Sequence, residues 1–370
     1  MPQITILRQG DINALHDDRL EVNWTLTEMC NYCCSYCFEQ NNDKKKIDQS
    51  RFSTFSQLKN AIDNLYSLNR SSYSIVLSGG EPTIHPHFSD FLNYAHEKIG
   101  EKLAGLKIIT NGSKLSTISR GIEKTIKYVP VGLIISIHTD HLSIGKIREI
   151  IKTYSSLTSV SLSLMFNPQK REYVKEIFDE LLSLRDNFPF WLRIATLRQP
   201  PKFDIPDTRY TKEDYLWQDA ATMAFQDRAK QSRVSPIPYK TKFGNITTFW
   251  DVIEDGQYSY KKNLQRDIAF KTGLFGFKNM YCAMATNMLS ISSKGFCNGA
   301  RCSIAPLSTH SIFEKNPYDT PDFVQSIKCS LANCGCGAND QILKFANKDE
   351  ADDYINLFVK RQQTKLNSLQ

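Results

Sequence analysis

The sequence predicts an α/β fold: a partial (β/α)6, TIM-like barrel followed by a small C-terminal extension made of a cysteine-rich β-hairpin and a helix. Three observations carry this prediction. Six strand-like runs alternate with five amphipathic helical patterns between residues 21 and 197. The ten cysteines fall into two groups, 30–37 and 282–336. Between those groups, from 198 to 280, periodicity fades into an aromatic-rich stretch.

Residues 1–20 read as a short strand and a polar connection. The six strands are expected at Val22–Leu26, Ser74–Leu77, Leu106–Ile109, Gly132–Ile137, Val160–Phe166 and Trp191–Thr196. Helical patterns lie near 54–68, 88–99, 114–127, 143–154 and 170–185. In 88–99, for example, Phe88, Phe91, Leu92, Ala95 and Ile99 share one face. Such alternation implies a parallel sheet with right-handed crossovers, and chemistry on the loops at the C-terminal strand ends. Pro200-Pro201 and Pro206 end the last unit, and a helical patch follows near 212–230. The rest of 198–280 is expected to be helices and irregular segments closing the open side of the barrel, either lining a substrate pocket or plugging the barrel as core. After Cys282, the run 287–302 reads as a β-hairpin turning at Gly295, and 348–364 reads as a helix. The expected units are 1–197 (barrel, core 21–197), 198–280, 281–345 and 346–370.

A chain of 370 residues can bury a sizeable core. Hydrophobic content of 41% and charged content of 23% are those of a soluble globular protein. No apolar run approaches the ~20 residues of a membrane span. The start, Met1-Pro2-Gln3-Ile4, lacks a secretory pattern, so the expected location is cytoplasmic. Two grouped sets of cysteines in a reducing compartment fit two metal centres better than disulfides. A net charge of +7 permits an anionic substrate without establishing one; no nucleic-acid or membrane partner is expected. Lys44-Lys45-Lys46 reads as a solvated loop.

Cys30, Cys33, Cys34 and Cys37 crowd into eight residues after the first barrel strand. Paired as two CxxC halves they would make a zinc site, but such halves normally stand a dozen or more residues apart. Cys30, Cys34 and Cys37 instead form C-x3-C-x2-C, a spacing suited to three irons of a [4Fe-4S] cube, and this reading is favoured. With Tyr36 before the last cysteine, the motif resembles the radical S-adenosylmethionine (SAM) superfamily. That resemblance implies that a fourth, open iron binds the amino and carboxylate groups of SAM. Reductive cleavage of the sulfonium then yields a 5′-deoxyadenosyl radical that takes a hydrogen atom from substrate.

Downstream residues extend the resemblance. Ser78-Gly79-Gly80-Glu81-Pro82 follows the second barrel strand and matches the family's GGEP element. The likeness implies that Gly79, Gly80 and Glu81 meet the SAM amino group. Thr110-Asn111-Gly112 ends the third strand and implies Asn111 near the SAM methionine or ribose. Ser136 and His138 end the fourth strand, Ser136 at a ribose-contacting position and His138 where many relatives carry Asp. His138 is read either as a ribose or substrate contact or as a satisfied barrel histidine. Tyr36 and Phe38 are expected to flank adenine.

The second cysteine group resembles the family's SPASM/twitch extensions, which hold auxiliary iron–sulfur clusters. Cys282, Cys302, Cys329, Cys334 and Cys336 are the candidates for one auxiliary [4Fe-4S] cluster, with zinc as the alternative. Side chains alternate faces along a strand, so Cys302 is favoured over Cys297, which reads as a small buried apolar residue. The family hairpin usually places its cysteine five residues after the glycine, and Ala283-Met284 replaces the usual Ala-Gly; both are departures. The resemblance is closer over 21–140 than over 280–340. It implies a peptide or small-molecule substrate and a flavodoxin or ferredoxin as reductant. Maturation of a ribosomal peptide (crosslink, thioether or epimerisation) is the leading expectation. Radical oxidation or rearrangement of a sugar, nucleoside or antibiotic precursor is the alternative, and a non-catalytic iron–sulfur or zinc protein the least favoured. Only about 20 residues precede the first barrel strand, too few for an independent leader-binding core, which weighs against the peptide reading.

Overall fold

The computed structural model describes residues 4–11, 14, 18–37, 47–198, 206–240, 248–262, 274, 276–330 and 342–367. The strands and helices run, in chain order, β1 (Ile4–Asp11), β2 (Arg19–Thr27), α1 (Phe55–Ser67), β3 (Ser72–Gly79), α2 (Phe88–Ile99), β4 (Leu103–Thr110), α3 (Leu115–Ile122), β5 (Val131–Ile137), α4 (Ile144–Tyr154), β6 (Ser159–Phe166), α5 (Arg171–Leu184), β7 (Trp191–Thr196) and α6 (Lys212–Gln231). They continue with β8 (Thr248–Glu254), β9 (Gln257–Lys262), β10 (Tyr281–Met284), β11 (Met288–Ile291), β12 (Phe296–Asn298), β13 (Leu307–Ser311), β14 (Gln325–Lys328), β15 (Lys344–Phe345) and α7 (Lys348–Asn367).

Strands β2 to β7 lie side by side in sequence order and pair in parallel, with a helix between each successive pair. The reason is legible in the side chains. Val22, Trp24, Ile75, Leu77, Leu106, Ile108, Leu133 and Ile135 alternate along their strands and bury one face in the core they share with the helices. The opposite, concave face is more polar and carries Glu21, Asn23, Ser74, Lys107, Ser136 and Ser163. At its lower end Tyr239 packs over Gly132, where an added Cβ would lie 2.9 Å from the ring, and Lys107 Nζ stands 4.5 Å from the ring centre. The Tyr239 ring therefore lies toward the N-terminal half of the sheet, away from the C-terminal end of β2 that leads into the cysteine loop.

Two features depart from the sequence reading. The 198–280 stretch is not only helical and irregular: β8 and β9 form an antiparallel hairpin that adds to β1. Its turn is Asp255-Gly256, with φ of +49° and +81°, the left-handed pair that a tight two-residue hairpin requires. The cysteine hairpin is also not a separate appendage. It turns at Gly295, with Ile291 opposite Cys297, and β11 pairs in parallel with β2 from Met288–Glu21 to Ile291–Trp24. The resulting sheet runs β13-β12-β11-β2-β3-β4-β5-β6-β7, while β14-β10-β15-β1-β8-β9 makes a second sheet. The expected units 1–197, 198–280 and 281–345 are thus interleaved, since β1 joins the second sheet and β11 the first.

Arg70 clamps these parts together. It is 1% exposed and bonds Asp18 at 2.5 Å and the Tyr318 hydroxyl at 2.6 Å, with Phe358 of α7 against its guanidinium. Removing Arg70 takes away buried packing against Tyr318 and Phe358 and two hydrogen bonds made by its buried guanidinium, while Asp18 keeps Gln362 and Lys365 as partners. Arg70→Ala is therefore expected to lower unfolding free energy by about 3 kcal/mol, read from urea denaturation. A loss below about 1 kcal/mol, typical of exposed pairs, would contradict the clamp.

Candidate active site

The loop after β2 carries Cys30, Cys34 and Cys37 at the C-terminal end of the parallel sheet. Cys30 is buried, Cys34 and Cys37 are half-buried, and Cys33 is the exposed member of the four. The loop is pinned from beneath. Gly80 N–H donates to Thr27 O and Glu81 N–H to Met29 O, both at 2.8 Å. A Cβ on Gly79 would stand 2.1 Å from Thr27 O, and one on Gly80 2.3 Å from Met29 O. The two glycines are needed because the β3 exit lies directly against the cysteine loop's backbone.

Glu81 extends that support sideways. Its carboxylate is fully buried and accepts from Thr83 N (3.1 Å), Thr83 Oγ1 (2.5 Å), Thr110 Oγ1 (2.7 Å) and Asn111 N (2.6 Å). Burial pushes this carboxyl's pKa up, while the four donors pull the other way. Both Glu81 carboxylate oxygens are therefore engaged by the protein. Asn111 continues the chain of contacts: its amide donates to Asn31 Oδ1 at 3.0 Å and reaches Cys30 Sγ at 3.8 Å. Asn31 in turn donates to Ser113 Oγ at 2.9 Å. The β3, β4 and cysteine loops are one bonded unit.

On the other flank, His138 Nδ1 lies 3.5 Å from Cys34 Sγ and 3.1 Å from the Tyr36 hydroxyl. The Tyr36 and His138 rings are nearly parallel at 5.8 Å, and Tyr32 stacks on His141 at 4.3 Å. Burial, then the neighbouring Cys30 and Cys37, push the Cys34 thiol up to about 12. Burial and the nearby His141 hold His138 down at about 4. Such thiols ionise when a metal takes the proton's place. Ser136 stands on β5 between core residues Ile135 and Ile137, on the concave face. Phe38 lies outside the described residues. Asn31, Tyr32 and His141 were not singled out from the sequence; Asn31 and Tyr32 lie between Cys30 and Cys33, and His141 stands three residues after His138.

At the second cysteine group, Cys282 of β10 and Cys329 share one buried cluster with Met284, Met288, Ala300 and Ile342, and the half-buried Cys302 packs against it. A hydrogen bond with Cys329, then burial, pushes the Cys282 thiol well up. Cys302 gets there by a route other than strand alternation. β12 ends at Asn298, and Cys302 sits in the turn beyond, where Ala305 N–H donates to its carbonyl at 3.1 Å. Cys297 is fully buried in the main core. Cys334 and Cys336 lie outside the described residues. Among the described residues no three His, Cys, Asp or Glu side chains converge as ligands of a metal ion would. Cluster thiolates stand at the corners of a cube and are spread more widely than around one ion. The donor sets, soft and nearly all sulfur, fit iron–sulfur chemistry.

Comparison with known proteins adds the following. A family model described as the radical SAM superfamily matches residues 24–184. An S-adenosylmethionine-dependent nucleotide dehydratase of Selenomonas ruminantium is 40% identical over 93 residues, 25% of this chain and 30% of that one. The mycofactocin maturase MftC of Mycobacterium tuberculosis is 32% identical over 95 residues, 26% of this chain and 22% of that one. The chain spans 30–37% of the length of the nucleotide dehydratases it matches. Among solved structures, a polyhistidine-tagged anSMEcpe with bound AdoMet matches with a TM-score of 0.51 and 14% identity, over 95% of this chain and 96% of that one. That likeness is one of fold. No helix among the described residues is long and apolar enough to cross a membrane.

Proposed function

The chain carries a radical SAM superfamily domain over residues 24–184, and on that premise we propose that it is an enzyme that reductively cleaves SAM and takes a hydrogen atom from its substrate. The observation that carries this reading is the bonded unit formed by the cysteine loop, Gly79-Gly80-Glu81 and Thr110-Asn111 at the C-terminal strand ends. When bound, a [4Fe-4S] cluster with SAM supplies the electron and the radical chemistry. Cys30, Cys34 and Cys37 would hold that cluster. Gly79 and Gly80 support the loop, and Glu81 and Asn111 lock its register. His138 and Tyr36 wall its open side and limit access of water. A low-potential flavodoxin or ferredoxin suits the electron-donor role.

Cys282, Cys302 and Cys329 would hold one auxiliary cluster, with a fourth ligand drawn from Cys334 or Cys336. Of the substrate classes, peptide maturation remains our leading reading, supported by the partial likeness to MftC. Radical oxidation or rearrangement of a sugar, nucleoside or antibiotic-precursor small molecule is the second reading. It is supported by the 40% local identity to a nucleotide dehydratase. The anaerobically reconstituted protein, given dithionite and SAM, is expected to bind about eight irons and release 5′-deoxyadenosine. Zinc without iron would sink the reading. Deuterium carried into 5′-deoxyadenosine from a labelled precursor peptide selects the first substrate class, and from a labelled nucleotide the second.

A further inference from the structure

The cysteine loop is met from the end of β5 by a ring that is held from two sides. His138 follows Ile137, the last residue of β5, and opens a turn in which the N–H groups of His141 and Leu142 both donate to its carbonyl at 2.9 Å. The Tyr36 ring lies nearly parallel to the imidazole at 5.8 Å between centres, and the Tyr32 ring meets it edge-on at 6.0 Å. Both tyrosines belong to the cysteine loop, so loop and ring hold each other. Nδ1 then stands 3.5 Å from Cys34 Sγ and 3.1 Å from the Tyr36 hydroxyl.

Hydrogen counting at this triangle limits what the ring can do. A thiol can donate its hydrogen to a bare Nδ1. A metal-bound thiolate has no hydrogen left and only accepts. A bare Nδ1 would then set its lone pair against those of the sulfur, whereas an Nδ1–H gives the sulfur a hydrogen bond. The thiolate, as the charged acceptor, takes the larger share of that hydrogen from the neutral Tyr36 oxygen. The Tyr36 hydroxyl is itself within bonding reach of this sulfur, so two donors converge on it. Cys30 shows the same surroundings: its Sγ accepts from Tyr32 N–H at 3.4 Å and from the Asn111 amide at 3.8 Å. Nitrogen donors are thus arranged around two sulfurs of the loop, which suits acceptors that carry charge.

We propose that His138 is a positioning residue for the cluster of this loop: through an Nδ1–H bond to the Cys34 sulfur it raises the cluster's reduction potential. This rests on the reading of the loop as a [4Fe-4S] site. Reduction adds negative charge, the ligand sulfurs then accept more strongly, and a donor fixed beside one of them favours the reduced state. His138 acts here through Cys34.

The test is an EPR-monitored redox titration of the anaerobically reconstituted full chain, without SAM, with iron content measured alongside. The signal that Cys34→Ala removes identifies the loop cluster, whatever else binds iron. His138→Phe keeps a ring to stack on Tyr36 and removes the donor. Its loop cluster is expected to be about tenfold harder to reduce, about 59 mV lower for one electron. His138→Asn places an amide N–H the same number of bonds from Cα as Nδ1 and is expected to restore the parent's potential. Tyr36→Phe removes the competing hydroxyl and is expected to stay near the parent. An unshifted potential in His138→Phe with iron retained overturns the role, and so does a drop that His138→Asn shares or that Tyr36→Phe reproduces in full. If His138→Phe loses the cluster, iron and potential kept in His138→Asn support the bond, and loss in both marks a packing role and overturns it. A parent with no signal that Cys34→Ala removes overturns the site reading itself, and this inference with it, before any His138 variant is read.

Discussion

Cys34→Ala is expected to abolish 5′-deoxyadenosine formation and to remove about four of about eight irons per chain. A cube held on one loop by three thiolates loses a corner when one sulfur goes, and the loop offers no replacement of matching reach. Cys33 is adjacent in sequence, but its side chain is exposed while Cys30 is buried and Cys34 half-buried. Cys33→Ala is accordingly expected to keep iron and activity, which makes it the control for a general effect of losing a thiol. The product is read by chromatography after anaerobic incubation with dithionite and SAM. Persistent cleavage in Cys34→Ala, or equal loss in Cys33→Ala, would refute the C-x3-C-x2-C assignment.

Glu81→Ala is expected to be the most destabilising change at the site. It leaves the N–H groups of Thr83 and Asn111 and the hydroxyls of Thr83 and Thr110 without their shared acceptor, in a place water does not reach. A buried donor left unsatisfied costs about 1–3 kcal/mol, and the hydroxyls can rotate to relieve part of the loss. A total near ~4 kcal/mol follows, a large share of the ~5–15 kcal/mol that holds a typical domain folded. Glu81→Gln keeps the volume but replaces one acceptor oxygen by a donor. About 2 kcal/mol is expected there. Both are read from urea denaturation of the protein before cluster loading. If Glu81→Ala unfolds within about 0.5 kcal/mol of the parent, the carboxylate is not the bracket described here.

Much of the barrel was legible because its signals are local. All six parallel strands fall where apolar alternation put them, and the helix expected at 88–99 spans Phe88–Ile99. Gly295 was readable as a turn because its φ of +81° is one that side-chain-bearing residues rarely adopt. Asp255-Gly256 is a hairpin turn signal, but the arms it joins, β8 and β9, owe their place to pairing with β1, about 240 residues earlier in the chain, which no local pattern shows. The Cys302 prediction reached a residue that does join Cys282 and Cys329, by an argument that fails where β12 stops at Asn298. Phe38, Cys334 and Cys336 fall outside the described residues.

The sequence by itself determined the parallel α/β sheet, the location of the cysteine loop at a strand end, and the radical SAM likeness. Those follow from spacing within a few residues and from side-chain periodicity. Only the tertiary structure decided that Glu81 bonds to Thr110 and Asn111, that β11 extends the barrel sheet beside β2, and that His138 stands against Cys34. The physical reason is common to all three. Hydrogen bonds and ladder register between segments roughly 30 to 270 residues apart are set when the elements pack, and no local pattern encodes which distant partner a strand or a buried charge will find.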